Sequence, residues 1–225
     1  MNPLLSFFSA VCLAVTPRLA FLALAPAMVW AQPAASAVTL TALRCEYLVA
    51  PDNIDSLAPR LSWRIESDRR GAAQTAWQIR VASSAAKLAA GDADLWDSGR
   101  VTGHATNQIA YAGRALVSRT ECFWQVQIWD ELGQASGWSA SSRWSMGLLK
   151  PEDWRAEWIS HRDEEALHTD RKTLHLPAPR TYRKEFTTGK TVKRAVVYAS
   201  ALGIYDLYCN GQRVGDAYFQ PGWSD

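Results

Sequence analysis

Eight carboxylates head the residues able to do chemistry: Asp52, Asp55, Asp92, Asp94, Asp97, Asp163, Glu164 and Glu165. Two carboxyls can act as general acid and base when burial lifts one pKa above the other. Each of these lies in a turn-like or charged stretch with no sign of burial, so turn and surface roles are expected. Asp52-Asn53 and Asp55 carry oxygens of the kind calcium takes, but without the spacing of an EF-hand loop. His161, His168 and His175 recur at sevens among acidic residues. The segment has no apolar stripe that would fix them on one face, so solvated loop histidines are expected rather than metal ligands. No G-x-S-x-G, phosphate loop or H-E-x-x-H is present. The 11 tryptophans are the unusual entry, because an indole face stacks on the apolar face of a pyranose. Trp138, in a Gly-Trp-Ser setting, and Trp223, after Pro221-Gly222, are the candidate sugar contacts.

The elements that would carry these residues read as strands. Leu61–Ile65, Trp77–Val81 and Trp124–Ile128 alternate apolar with polar, the mark of a strand with one buried face. Trp63, Trp77 and Trp124 fall on the apolar side and are assigned to the core, while Trp129 opens the other face. Asp52-Asn53, Asp68–Gly71, Asp97–Gly99, Ala112-Gly113 and Glu131–Gly133 supply turns. Residues 83–90 are the one short helix candidate. About seven strands over roughly 110 residues match an immunoglobulin-like or fibronectin type III sandwich, so residues 38–149 form the first predicted domain. Phe123–Asp130 resembles its penultimate strand and Arg143–Met146 its closing strand.

Residues 1–37 read as an export signal. Apolar runs 4–15 and 19–30 end in small residues, with cleavage expected before Gln32 or Val38. Pro17, Arg18 and Pro26 interrupt any single spanning helix, so export to the periplasm or the exterior is expected, without a stable membrane span. Cleavage removes Cys12 and leaves Cys45, Cys122 and Cys209, enough for one intramolecular disulfide at most. Cys122 and Cys209 sit in strand-like runs and are expected to behave as small buried hydrophobes. A net charge of +2, from 24 basic and 22 acidic residues, gives no nucleic-acid stripe. With 48% hydrophobic residues and 20% charged, the composition fits neither disorder nor a multi-span membrane protein.

Residues 150–225 start a second β-unit. Strands are predicted at 182–186, 195–199, 204–209 and 212–216, with Asn210-Gly211 as the hairpin turn. Three or four strands leave an edge and an apolar face uncovered, so this unit is expected to be an incomplete β-sandwich within a larger protein. The fold class is all-β.

With these residues in hand, the chain resembles the N-terminal region of bacterial α-L-rhamnosidases, the inverting glycosidases of family 78. The stretches that carry the resemblance include Leu43–Tyr47, Pro59–Trp63, Gln74–Ile79, Trp96–Gly99, Trp124–Asp130, Met146–Leu149, Asp153-Trp154, Leu202–Gly211, Val214–Asp216 and Pro221–Trp223. The resemblance implies a fibronectin-like domain, then a β-sandwich that binds rhamnose with calcium in some members. The family's catalytic glutamates belong to a helical barrel that nothing here matches. Inverting hydrolysis needs two carboxyls about 6.5–9.5 Å apart around a water, and no pair here is placed for it. The resemblance therefore implies a non-catalytic N-terminal piece of an exported enzyme acting on terminal α-L-rhamnosides. Its partners would be rhamnose-containing glycans or glycosides and the enzyme's own downstream domains. The segment itself is expected to require no cofactor, and the resemblance implies calcium for the complete second domain in those members that use it. The competing expectation is a freestanding secreted carbohydrate-binding or adhesion module, with no hydrolase activity.

Overall fold

The computed structural model describes residues 38–161 and 179–222. The export signal, Asp163, Glu164, Glu165, His168, His175 and Trp223 lie outside the described residues. The chain divides into two compact units, with the boundary between Glu157 and Trp158.

In the first unit, antiparallel pairing builds two sheets. The strands are β1 (Thr39–Cys45), β2 (Arg60–Glu66), β3 (Gln74–Ala82), β4 (Trp96–Asp97), β5 (Val101–Thr102), β6 (Ile109–Ala110), β7 (Glu121–Asp130) and β8 (Ser142–Ser145). One sheet has the order β1-β2-β6; the other runs β4-β3-β7-β8, with β5 also on β3. The longest ladder joins β3 to β7, from Gln74 opposite Asp130 to Ala82 opposite Phe123. Along β7 every second residue is buried, from Cys122 through Trp124, Val126 and Ile128 to Asp130. Trp77, Ile79 and Val81 of β3 join that core, as do Leu61 and Trp63 of β2. Period-two alternation thus forms one inner face, as the sequence predicts.

The first strand's continuation stitches the sheets together. After β1 pairs with β2, Ile54 bridges Met146 in parallel. The Ser145 N–H donates to the Pro51 carbonyl at 3.0 Å, and the Ile54 N–H donates to the Ser145 carbonyl at 2.9 Å. Within the core, Trp63 meets Trp77 edge to face at 6.1 Å, and Tyr111 meets both Trp96 and Trp144. The short helix α1 (Ala85–Ala89) falls inside the predicted 83–90; the Ser84 hydroxyl caps it by accepting the Lys87 N–H, and Leu88 is buried beneath it.

The second unit is sparser. Strands β9 (Tyr208–Cys209) and β10 (Gln212–Arg213) form a hairpin around Asn210-Gly211. Both turn residues have left-handed backbones, φ 51° and 80°, as a two-residue turn of the primed type requires. The predicted strands at 182–186 and 195–199 are absent; of the next two, 208–209 pair with 212–213, and Tyr205 makes an isolated antiparallel bridge to Gln220. A strand exists through its ladder, and the described residues of this unit offer those runs no edge. Cys209, although paired opposite Gln212, is exposed rather than buried, because among the described residues no layer covers the hairpin. Among the described residues no helix is long and apolar enough to cross a membrane.

Candidate functional site

Trp138 is delivered to its place by Asp130. The fully buried Asp130 carboxylate accepts the N–H groups of Leu132 and Gln134 at 3.0 and 2.9 Å and pairs with Arg69 at 3.0 Å. These bonds turn the chain back along β7. Ser136 and Ser139 donate their N–H groups to the carbonyls of Ile128 and Val126, and their hydroxyls accept the Ile128 and Val126 N–H groups. Trp138 lies between those serines, half-buried.

The Arg80 guanidinium lies over the Trp138 ring, 4.5 Å from its centroid. Arg80 donates through Nε to Asp97 at 3.0 Å, and Asp97 also accepts from Gln78 and the Gly99 N–H. Partial loss of water works against the Asp97 charge, but the bonds from Gln78, Gly99 and Arg80 outweigh it and hold the carboxyl below its usual range. A second stack sets Arg100 over Trp129, also at 4.5 Å. One face of the Trp138 indole is therefore already engaged by a cation. The sequence reading placed Trp138 in a loop and missed its partner. The β3–β7 register puts Arg80 opposite Gln125 on the face turned from the core, a placement that no local sequence pattern signals.

Among the described residues, Asp52 and Asp94 of the candidate carboxylates each have partners of their own. Asp52 accepts from Arg143 at 2.8 Å and from the Ser145 hydroxyl at 2.7 Å. Asp55 and Asp92 are exposed. Asp94 binds Lys87 Nζ at 2.7 Å and takes both the N–H and the hydroxyl of Ser83. Desolvation opposes its charge, yet those three bonds bring its pKa down to about 2. A general acid at neutral pH needs the opposite displacement. Among the described residues no three His, Cys, Asp or Glu side chains gather to hold a metal.

Cys45, Cys122 and Cys209 are all free. Burial pushes the Cys45 and Cys122 thiols up to about 12, so both stay protonated and inert at neutral pH. In the second unit a shallow hollow of about 760 Å³ is lined by the consecutive residues Thr188 to Arg194. A single loop curled on itself supplies no opposing wall to orient a ligand. Sequence reading also missed Asp130, although an acid following four inward apolar positions of one strand was there to be seen.

Residues 40–150 match a Rha78A-like, N-terminal immunoglobulin domain, and residues 190–225 match an α-L-rhamnosidase N-terminal domain. An α-L-rhamnosidase of Alteromonas sp. (strain LOR) is 36% identical over 183 residues, covering 80% of this chain and 20% of that protein. The solved α-L-rhamnosidase of Streptomyces avermitilis, complexed with L-rhamnose, aligns with 44% identity and a TM-score of 0.54 over 56% of this chain and 12% of its own. The Aspergillus terreus α-L-rhamnosidase structure, 24% identical, shares the fold over 83% of this chain and 20% of its own, with a TM-score of 0.59. The chain spans about a fifth or less of the length of these relatives. Two domain matches in the same order, with relatives aligned along most of the chain, show that it belongs to the α-L-rhamnosidase family through that family's N-terminal region.

Proposed function

We propose that this chain is the non-catalytic N-terminal portion of an exported α-L-rhamnosidase whose intact form hydrolyses terminal α-L-rhamnosides. The observation that carries the reading is the pair of N-terminal domain matches on a chain spanning about a fifth of its relatives' length. The carboxylates agree with it. Glu46, Asp94, Asp97, Glu131 and Asp153 are each displaced toward the ionised form by hydrogen bonds or cations, not raised toward a proton donor. In this reading the first unit serves as scaffold, the completed second domain takes rhamnose with calcium, and export delivers the enzyme to the periplasm or beyond. Incubating the 225-residue chain with an aryl α-L-rhamnoside tests the non-catalytic assignment: release of phenol at the buffer blank is expected, and enzymatic turnover would overturn it.

Sugar binding is the finer part of the proposal. On Trp138, rhamnose would stack on the ring face away from Arg80. Aromatic stacking adds about 0.5–1.5 kcal/mol per contact beyond area burial, so a Kd near the millimolar range is expected. Titration with L-rhamnose followed by indole N–H resonances decides the site. Trp138→Ala or Trp223→Ala should weaken binding, and unaltered binding in both variants eliminates these contacts.

A further inference from the structure

After β8 the chain does not simply leave the sandwich. Met146 donates its N–H to the Thr120 carbonyl at 2.8 Å, and Gly147 donates to Ile54 at 2.8 Å. Arg119 donates its own N–H to the Gly147 carbonyl at 3.1 Å, from a left-handed backbone with φ 66°. The Ser118 hydroxyl then works in both directions. It accepts the Leu149 N–H at 2.8 Å and donates to the Asp153 carboxylate. The same carboxylate oxygen accepts the Lys150 N–H at 3.2 Å. The Arg119 guanidinium reaches the Asp153 carbonyl at 2.9 Å. Between these anchors, Pro151–Asp153 closes one 3-10 turn, in which Asp153 and Trp154 donate back to Lys150 and Pro151. Pro151 stands where the first helical N–H would have no partner. Residues 150–152 and 154–161 are all exposed, so what distinguishes the segment up to Trp154 is its bonding to Ser118 and Arg119 and not burial.

We propose that Ser118, Arg119 and Asp153 form a clasp that carries the sandwich's order past β8 as far as Trp154, so that the chain bends freely only beyond that residue. Two consecutive residues of the β6–β7 connection hold both ends of a six-residue exit segment through three kinds of bond. A chain leaving a strand without such anchors would fray from the strand's end. The device is also acid-sensitive. The Ser118 hydrogen bond, followed by the Lys150 N–H and the charges of Arg119 and Lys150, holds the Asp153 carboxyl below its usual range against some desolvation. A carboxyl depressed in the folded state contributes fully above its ordinary pKa and loses its hold as pH falls through the lowered value. Arg119 and Lys150 are the charged groups that face it.

Hydrogen exchange of the 225-residue chain at neutral pH tests the clasp, read at the amides of Leu149, Lys150, Asp153 and Trp154. These should exchange more slowly than those of 155–160. Ser118→Ala and Asp153→Ala should each accelerate them about threefold to tenfold, the effect of losing one or two hydrogen bonds. The β7 amides of Val126 and Ile128 should keep their protection in both variants. Asp153→Asn retains an acceptor oxygen and should fall between wild type and Asp153→Ala. If wild-type 149–154 exchanges as fast as 155–160, no clasp exists. If the variants leave 149–154 unchanged, or accelerate β7 in step, the order past β8 comes from elsewhere and the proposal fails.

Discussion

Trp63 and Trp144 share a core and differ by one bond, which makes them a test of what a buried polar atom costs. The Trp63 indole N–H donates to the Gln74 side-chain oxygen at 3.1 Å, and the Gln74 amide nitrogen in turn reaches the carbonyls of Gly103 and Ala105. The Trp144 indole nitrogen is buried with no acceptor among the described residues, as is that of Trp124. Replacing either ring by Phe removes similar volume, so the difference isolates the polar term. Trp63→Phe strands the Gln74 oxygen and should cost about 1–2 kcal/mol more than Trp144→Phe, by chemical denaturation; equal losses would refute this account of the Gln74 network. On the outer face, Trp138→Ala forfeits the Arg80 stack, with about 0.5–1 kcal/mol expected from cation–π attraction. Arg80→Ala should remove the same contribution, so the double variant should be less destabilised than the sum of the singles. Asp94 supplies a third test, through pH. Its pKa falls from an ordinary 3.8 to about 2 in the folded chain. Its stabilisation is therefore complete above 3.8 and disappears as pH drops toward 2. Asp94→Asn should flatten the stability curve over that interval, and an unchanged acid limb would show that Lys87 and Ser83 do not hold the carboxylate as described.

Among the elements, the long strands were plain in the sequence because each buries one face against the opposite sheet, and that burial imposes a period of two. Trp77–Val81 and Trp124–Ile128 were legible for this reason, and the same alternation fixed Trp63, Trp77 and Trp124 in the core. Paired strands of two residues, such as β4, β5 and β6, are too short to carry a period. They follow from the β3 and β2 ladders instead. The Trp138 stack was illegible for a related reason: it depends on the β3–β7 register together with a segment folded back along β7, which no local pattern encodes. In the second unit the primed turn at Asn210-Gly211 was legible because its backbone demand is local, whereas 182–186 and 195–199 have strand composition without a partner edge among the described residues. Gly113 shows a turn signal with a deeper cause. A Cβ there would lie 2.4 Å from the Leu95 carbonyl oxygen, 2.5 Å from the Trp96 Cβ and 2.6 Å from the Tyr111 hydroxyl. That hydroxyl donates to the carbonyls of Leu95 and Arg114, so it cannot withdraw without losing both. Gly113→Ala should destabilise the first unit by about 1–3 kcal/mol, the range for an overpacked site. Gly137→Ala, where a Cβ meets nothing within 4 Å, provides the control and should unfold close to wild type.

For the whole molecule, apolar burial is divided unequally. The first unit encloses a continuous core from Val38 to Met146. The described part of the second leaves Phe186, Leu202 and Phe219 at 77%, 83% and 74% exposure, along with Val196, Val197, Ile204 and Tyr218. Its local order comes from polar bonds: Arg213 pairs with Asp206 at 2.8 Å, donates to the carbonyls of Gly215 and Ala217, and lies over the Tyr218 ring at 4.2 Å. Exposed bonds of this kind compete with water and contribute little to cooperative stability. Resistance to proteolysis should therefore differ between the units, since cleavage needs a backbone that opens locally. Trypsin has exposed targets at Lys190, Lys193 and Arg194, in segments outside any strand, whereas Arg80 is held in the central ladder of β3. Limited digestion of this chain, followed by mass spectrometry, should cut at 190–194 first and leave a resistant fragment containing β1 to β8. Cleavage of both units at the same rate would mean that the second is stabilised to the same degree as the first. The apolar surface on residues 179–222 would then have to be covered in solution, and concentration-dependent protection of the 190–194 sites would identify a second copy of the chain as the cover.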